Sequence, residues 1–141
     1  MKPKIYLACP YSDPDKEIRQ YRVDLASECA ARIMDAGYMV YSPLSHTHKI
    51  AQYLPEETNC DWEYWRDISL EFVDWADVVI QLMLTGWQFS EGCEGERNRA
   101  YRDLKPIVFM LPNDILSNFE ANFHKYLVIP SNRSAVKSCN P

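Results

Sequence analysis

From residue 76 to residue 100 the chain reads ADVVIQLMLTGWQFSEGCEGERNRA. The apolar run 78–84 predicts a buried strand, Gly86-Trp87 a tight turn, and the polar stretch from Glu91 onward a helix. A strand, a glycine turn and a helix start, in that order, form the part of an open α/β sheet where ligands bind. The first N–H groups of such a helix have no partners of their own and point over the strand ends. One carboxylate, Glu96, falls in the early turns of this helix.

The remaining segments fit around that unit. Short apolar runs predict strands over 5–9, 38–41 and 107–111, with a short fifth over 126–129. A helix over 15–36 places Ile18, Val23, Ala26, Cys29, Ala30, Ile33 and Met34 on its inner side, with Ser12 or Asp13 as cap, Pro14 near its start and Gly37 at its end. Further helices are predicted over 61–75, 91–104 and 113–125, and 44–59 as a loop with a short helix. Strands that alternate with helices give an α/β fold: an open parallel sheet of four to five strands with helices on both faces. Residues 1–130 form one domain on this reading, and 131–141 a polar tail.

Right-handed crossovers and the common order of open sheets put the first strand beside the third. Loops 10–12 and 85–90 then face each other, and Tyr6, Tyr11, Ser12, Ser90, Gly92 and Glu96 surround one crevice. His46 and His48, after the second strand, are expected at its rim.

A chain of 141 residues with 47% hydrophobic residues has room for one domain with a real core. A net charge of -5 disfavours nucleic-acid polymers as partners, although a mononucleotide needs only a few local donors. Five cysteines, odd in number and without a C-x-x-C, fit free thiols in a reducing cytoplasm rather than a disulfide framework or zinc ribbon. No signal peptide or membrane span is visible.

Each candidate has two readings. Glu91, Glu94 and Glu96 fit acids that complement a helix dipole, and Glu96 also fits a nucleophile or base over the crevice. Ser90 fits a helix cap, and with the Gly92 amide a phosphate site. Tyr6 fits a core aromatic or a group that orients a carboxylate. Asp67 fits an exposed helical acid. His46 and His48 at i and i+2 share one side of a strand, but no nearby acid or thiol completes a ligand set, so no metal is expected. Of the four tryptophans, Trp87 is the one expected to touch a flat ligand.

The segments I-Y-L-A-C-P-Y-S, S-P-L-S-H-T-H and A-D-V-V-I-Q-L-M-L-T-G-W-Q-F-S-E-G-C-E-G-E-R-N-R-A, in this order, resemble the nucleoside 2-deoxyribosyltransferase-like superfamily. They are most similar to a bacterial and phage branch of it marked by G-W-x-x-S-x-G-x-x-x-E. The resemblance covers residues 4–111. It implies a Rossmann-like fold and hydrolysis or transfer at the N-glycosidic bond of a nucleoside or nucleoside 5'-monophosphate, without a cofactor. Glu96 matches the family nucleophile, and Tyr6 the tyrosine that orients it. Ser90 and Gly92 match the phosphate contacts of relatives that act on monophosphates, and Asp67 is the best match to the base-contacting aspartate. The resemblance also implies a homo-oligomer. The alternative is a nucleotide-binding sensor or regulatory module that has lost turnover.

Overall fold

The structure, a computed structural model, describes residues 1–127. Four parallel strands, β1 (Ile5–Ala8), β2 (Val40–Tyr41), β3 (Val78–Leu82) and β4 (Ile107–Met110), form a sheet of order β2-β1-β3-β4. β1 pairs with β3 through Ile5 with Val78, Tyr6 with Val79, Leu7 with Ile80 and Ala8 with Gln81. The switch point of the sheet, where successive crossovers run in opposite directions, therefore lies between β1 and β3. This is the Rossmann-like α/β arrangement, with helices on both faces.

The two-residue alternation of the strands sorts the core into two layers. Ile5, Leu7, Val78, Ile80, Leu82, Val108 and Met110 face α1 (Lys16–Asp35) and α5 (Pro112–Leu127), packing on Val23, Ala26, Cys29, Ile33, Ile115, Phe119 and Phe123. Tyr6, Ala8 and Val79 face the other way, toward α3 (Trp62–Trp75) and α4 (Glu91–Arg102), where they meet Val73 and Ala100. Ile18 and Met34, expected inward on α1, are exposed. The inward stripe is carried instead by the residues of α1 between them.

Caps set the helix limits. Asp15, not Ser12 or Asp13, caps α1 by accepting from the Glu17 amide at 2.9 Å, while Asp13 accepts from Asp15 N. Asp61 caps α3 and Ser90 caps α4 through the Cys93 amide at 3.2 Å. Gly37, at φ 92°, ends α1 with paired bonds from Gly37 N to Met34 O and from Tyr38 N to Ile33 O. The segment after β2 is more regular than expected, with α2 running from Pro43 to Ala51 and a short 3-10 turn at Glu56–Thr58. Pro43 fits the first turn of α2, where its missing N–H has no carbonyl to meet. α5 is interrupted at Asn118, whose side chain then accepts from the Ala121 amide and recaps the second half. The expected fifth strand is not formed by Tyr126 and Leu127, which end α5. Residues 128–129 and the expected tail lie outside the described residues.

The end of α4 repeats the geometry of the end of α1 with an ill-suited residue. Leu104 takes the left-handed position at φ 58°, with Leu104 N bonded to Tyr101 O and Lys105 N to Ala100 O. A side chain in this region costs about 1–2 kcal/mol, which glycine avoids. Leu104 is largely exposed, so little packing is lost with it. Leu104→Gly is therefore expected to stabilise the fold by about 1 kcal/mol, after glycine's extra freedom in the unfolded chain is deducted. An urea-unfolding midpoint that stays put or falls would contradict this.

Candidate functional site

A pocket of about 440 Å³ opens at the C-terminal ends of β1 and β3. Its walls come from four places: Cys9 to Ser12 after β1, Gly86 to Glu96 after β3, the face of α2 carrying Leu44, Thr47 and His48, and the start of α3 with Trp62, Trp65 and Ser69. Gly86 makes the turn after β3 at φ 90°. Arg22 of α1 straps the two strand loops together, donating to Ser12 O at 2.9 Å and to Thr85 O at 3.1 Å. Arg22 also lines the pocket.

Glu96 forms the floor. It points inward from α4 and is only 5% exposed. The hydroxyl of Tyr6, fully buried on β1, donates to its carboxylate. Burial pushes the Glu96 carboxyl up to about 8, although the Tyr6 hydrogen bond and the nearby Arg97 act in the opposite direction. The same burial, with the negative charge of Glu96, holds the Tyr6 phenol well above its usual range. The Cys93 thiol, also on the pocket wall, is pushed up to about 11 by burial. This thiol is therefore a poor nucleophile, whereas the Glu96 carboxyl exchanges its proton near neutral pH.

The α3 wall depends on two glycines of α4. A Cβ on Gly95 would sit 2.5 Å from Cζ2 of Trp62, and one on Gly92 would sit 3.4 Å from its Cε3. The indole fills the space those side chains would occupy. Trp65, one turn further along the same face, is fixed by its Nε1 donating to Thr58 O at 2.8 Å. Across the pocket a chain of side chains orients Tyr11. Gln20 donates to Asp24 through its Nε2, so its Oε1 accepts from His48 Nε2 at 3.0 Å, and His48 Nδ1 accepts from the Tyr11 hydroxyl at 2.8 Å. Burial lowers the His48 pKa, which suits this neutral tautomer.

A family model described as "Domain of unknown function (DUF1937)" matches residues 3–111. The chain belongs to this family. No curated protein matches it. The DUF1937 match spans β1 through β4 and so includes every pocket wall described above.

In this DUF1937 domain the structure brings Tyr6, Tyr11, Ser12, Ser90, Gly92 and Glu96 together, and leaves three expected residues elsewhere. Asp67 is 90% exposed and pairs with Arg66, because the pocket face of α3 is set by Trp62, Trp65 and Ser69, and Asp67 falls on the opposite side. His46 and His48 lie on α2 rather than a strand, so i and i+2 point apart. His48 reaches the pocket, while His46 turns to the rings of Tyr41 and Phe72. Among the described residues no group of three or more His, Cys, Asp or Glu is placed to hold a metal ion. Trp87 packs toward Phe109 of β4 and carries the Arg97 guanidinium on its face, and Arg97 is itself held by Gln81 at 2.6 Å. Glu91, expected only as a dipole-complementing acid, is exposed at the pocket wall. The sequence alone does not single out Trp62, Trp65, Ser69 or Arg22 for the pocket. The i, i+3, i+7 spacing of the first three was the available signal.

The pH dependence of stability follows from Glu96. Its folded pKa, about 8, lies above the 4.5 of an ordinary glutamate. The folded state thus keeps a proton that the unfolded chain releases, and the associated stability is complete below about pH 4.5 and lost as pH rises through about 8. Glu96→Gln removes this dependence. Relative to the parent, the variant should gain on the order of a few kcal/mol between these limits. Denaturant unfolding of both proteins across that range checks it, and parallel stability curves would contradict it.

Proposed function

We propose that this protein cleaves or transfers across the N-glycosidic bond of a nucleoside or nucleoside 5'-monophosphate, with Glu96 as nucleophile. The observation that supports the reading most directly is the buried Glu96 carboxylate, bonded to Tyr6, at the floor of a switch-point pocket. A Rossmann-like fold is compatible with nucleotide binding, and the resemblance of the G-W-x-x-S-x-G-x-x-x-E segment supplies the reaction class. In the proposed step a Glu96 oxygen bonds to the anomeric carbon as the bond from that carbon to the base nitrogen breaks. The base leaves with the electron pair and takes up a proton. Water or a second base then releases the sugar from the ester. Tyr6 holds the carboxylate in place, and Trp62 and Trp65 offer flat walls for the base. Asp61 and Glu91, both on the pocket wall, are the acids placed to share a proton with it. Assembly into a homo-oligomer belongs to the same reading.

The ionised carboxylate is the reactive form. With the Glu96 pKa at about 8, kcat/KM for base release should rise with pH and level off above that value. Glu96→Gln should lower turnover by a factor on the order of a thousand or more. Glu94→Gln, on the exposed side of α4, should turn over like the parent. A base-release assay on a panel of nucleosides and monophosphates tests this. Activity surviving in Glu96→Gln rejects the nucleophile assignment. Nucleotide binding without release from any substrate favours a sensor or regulatory module instead.

Arg22, Ser90 and the start of α4 all line the pocket, and donors of this kind favour a 5'-phosphate over a bare nucleoside. Ser90→Ala should weaken monophosphate binding by about 1 kcal/mol or more and leave nucleoside binding nearly unchanged. Titration calorimetry checks it. Equal affinity of the parent for nucleoside and monophosphate would remove the phosphate site from the reading.

A further inference from the structure

Tyr41 ends β2 directly beside Tyr6, its register partner on β1. The two ring centroids are 5.8 Å apart. The Tyr41 ring lies flat on Phe72 of α3, 3.7 Å away and inclined by 6°. Its hydroxyl is buried and has no hydrogen-bond partner among the described residues. A buried hydroxyl without a partner is a net cost to folding, and phenylalanine would make the same stack without it. Packing therefore accounts for the ring and leaves the oxygen unexplained.

Glu96 descends from α4 into the layer that both tyrosines face. An ionised carboxylate has about four sites that accept hydrogen bonds, and among the described residues Glu96 has one donor, Tyr6. The titratable and charged groups around it are Tyr6 on β1, Cys9 just beyond, Tyr41 on β2, and Cys93 and Arg97 on its own helix. Cys9 is bonded to Pro10 O and Arg97 to Gln81. Tyr41 keeps an uncommitted proton. Burial and the charge of Glu96 push its phenol up to about 12, so that proton is present throughout the range in which Glu96 titrates.

We propose that Tyr41 is a positioning residue for Glu96, the carboxylate shifting to meet its hydroxyl as a second donor beside Tyr6 when Glu96 loses its proton. The neutral acid makes do with Tyr6, and the anion recruits Tyr41. Two donors from adjacent strands then fix the plane of the carboxylate as well as its position. This inference does not depend on the glycosidic reading, since it concerns the ionisation of Glu96 whatever the pocket binds.

The experiment compares the parent with Tyr41→Phe, which keeps the ring and its stack. Thermal unfolding is measured at about pH 7 and about pH 9.5, either side of the Glu96 midpoint. His46, the other titratable ring facing Tyr41 at 5.7 Å, is replaced by Gln in both proteins so that its charge does not enter. Tyr41→Phe should melt at or above the parent at the lower pH and below it at the higher. The difference should disappear when Glu96→Gln is added. The carbon-13 resonance of the Glu96 carboxyl should titrate about one pH unit higher in Tyr41→Phe, a tenfold change in its ionisation. A melting shift of equal size at both pH values, or an unmoved midpoint, overturns the proposal. So does failure of Tyr41→Phe to fold at either pH, which would make the hydroxyl a structural group.

Discussion

The hydrogen bond from Tyr6 to Glu96 is the constraint around which the rest of the molecule is arranged. It joins a strand near the start of the chain to a helix ninety residues later, across the face of the sheet that carries α3 and α4. It can form only if β1 lies beside β3, so that Tyr6 comes under α4 as that helix leaves β3. It also needs α3 to close over the pair, because a carboxylate open to water would have an ordinary pKa and an ordinary surface acid's behaviour. The order β2-β1-β3-β4, the inward-facing position of Glu96 on α4 and the aromatic start of α3 each serve that one buried contact.

The two faces of the sheet have different characters. Toward α1 and α5 the core is apolar throughout, from Ile5 and Leu7 to Phe119 and Phe123. Toward α3 and α4 the apolar cluster is small, and polar groups are set into it: Glu96, Ser69 and Gln81 are buried there, beside the hydroxyls of Tyr6 and Tyr41. Buried polar groups weaken a fold unless they are fully partnered. One layer thus supplies stability and the other tolerates a less favourable interior, and Tyr6 and Glu96 both lie in the second.

The sheet was legible because buried parallel strands are short apolar runs with few alternatives, and because Gly37, Ser90 and the apolar run before Gly86 are strong punctuation. The contact of Tyr6 with Glu96 was legible through the resemblance, which matches the two residues to a tyrosine and the glutamate it orients. Asp67, His46 and Trp87 went elsewhere for one shared reason. Asp67 was placed by its match to a family aspartate and the other two by nearness in sequence to a pocket element, whereas the direction of a side chain on a helix turns by about 100° per residue. Trp62 and Trp65 could not be separated from core tryptophans without knowing which face of α3 looks along the strands. Arg22 was invisible because its partners are backbone carbonyls, which leave no mark on composition or spacing. The sequence predicts mostly loop where α2 forms because its apolar residues are few; Pro43 starts the helix, and Pro43, Leu44 and Ala51 are its buried residues.

Trp62 has a double role that bears on how such a pocket can diverge. Its indole is a pocket wall on one side and the filler between α3 and α4 on the other, seated where Gly92 and Gly95 lack side chains. Ligand size and helix spacing are therefore decided by the same atoms. A lineage that trades this tryptophan for a smaller residue opens a void between the helices, and the simplest repair is a side chain at one of the glycines. Positions 62, 92 and 95 are then expected to change as a set across relatives, so that a new ligand shape arrives together with a resized helix contact rather than by drift at the pocket surface alone.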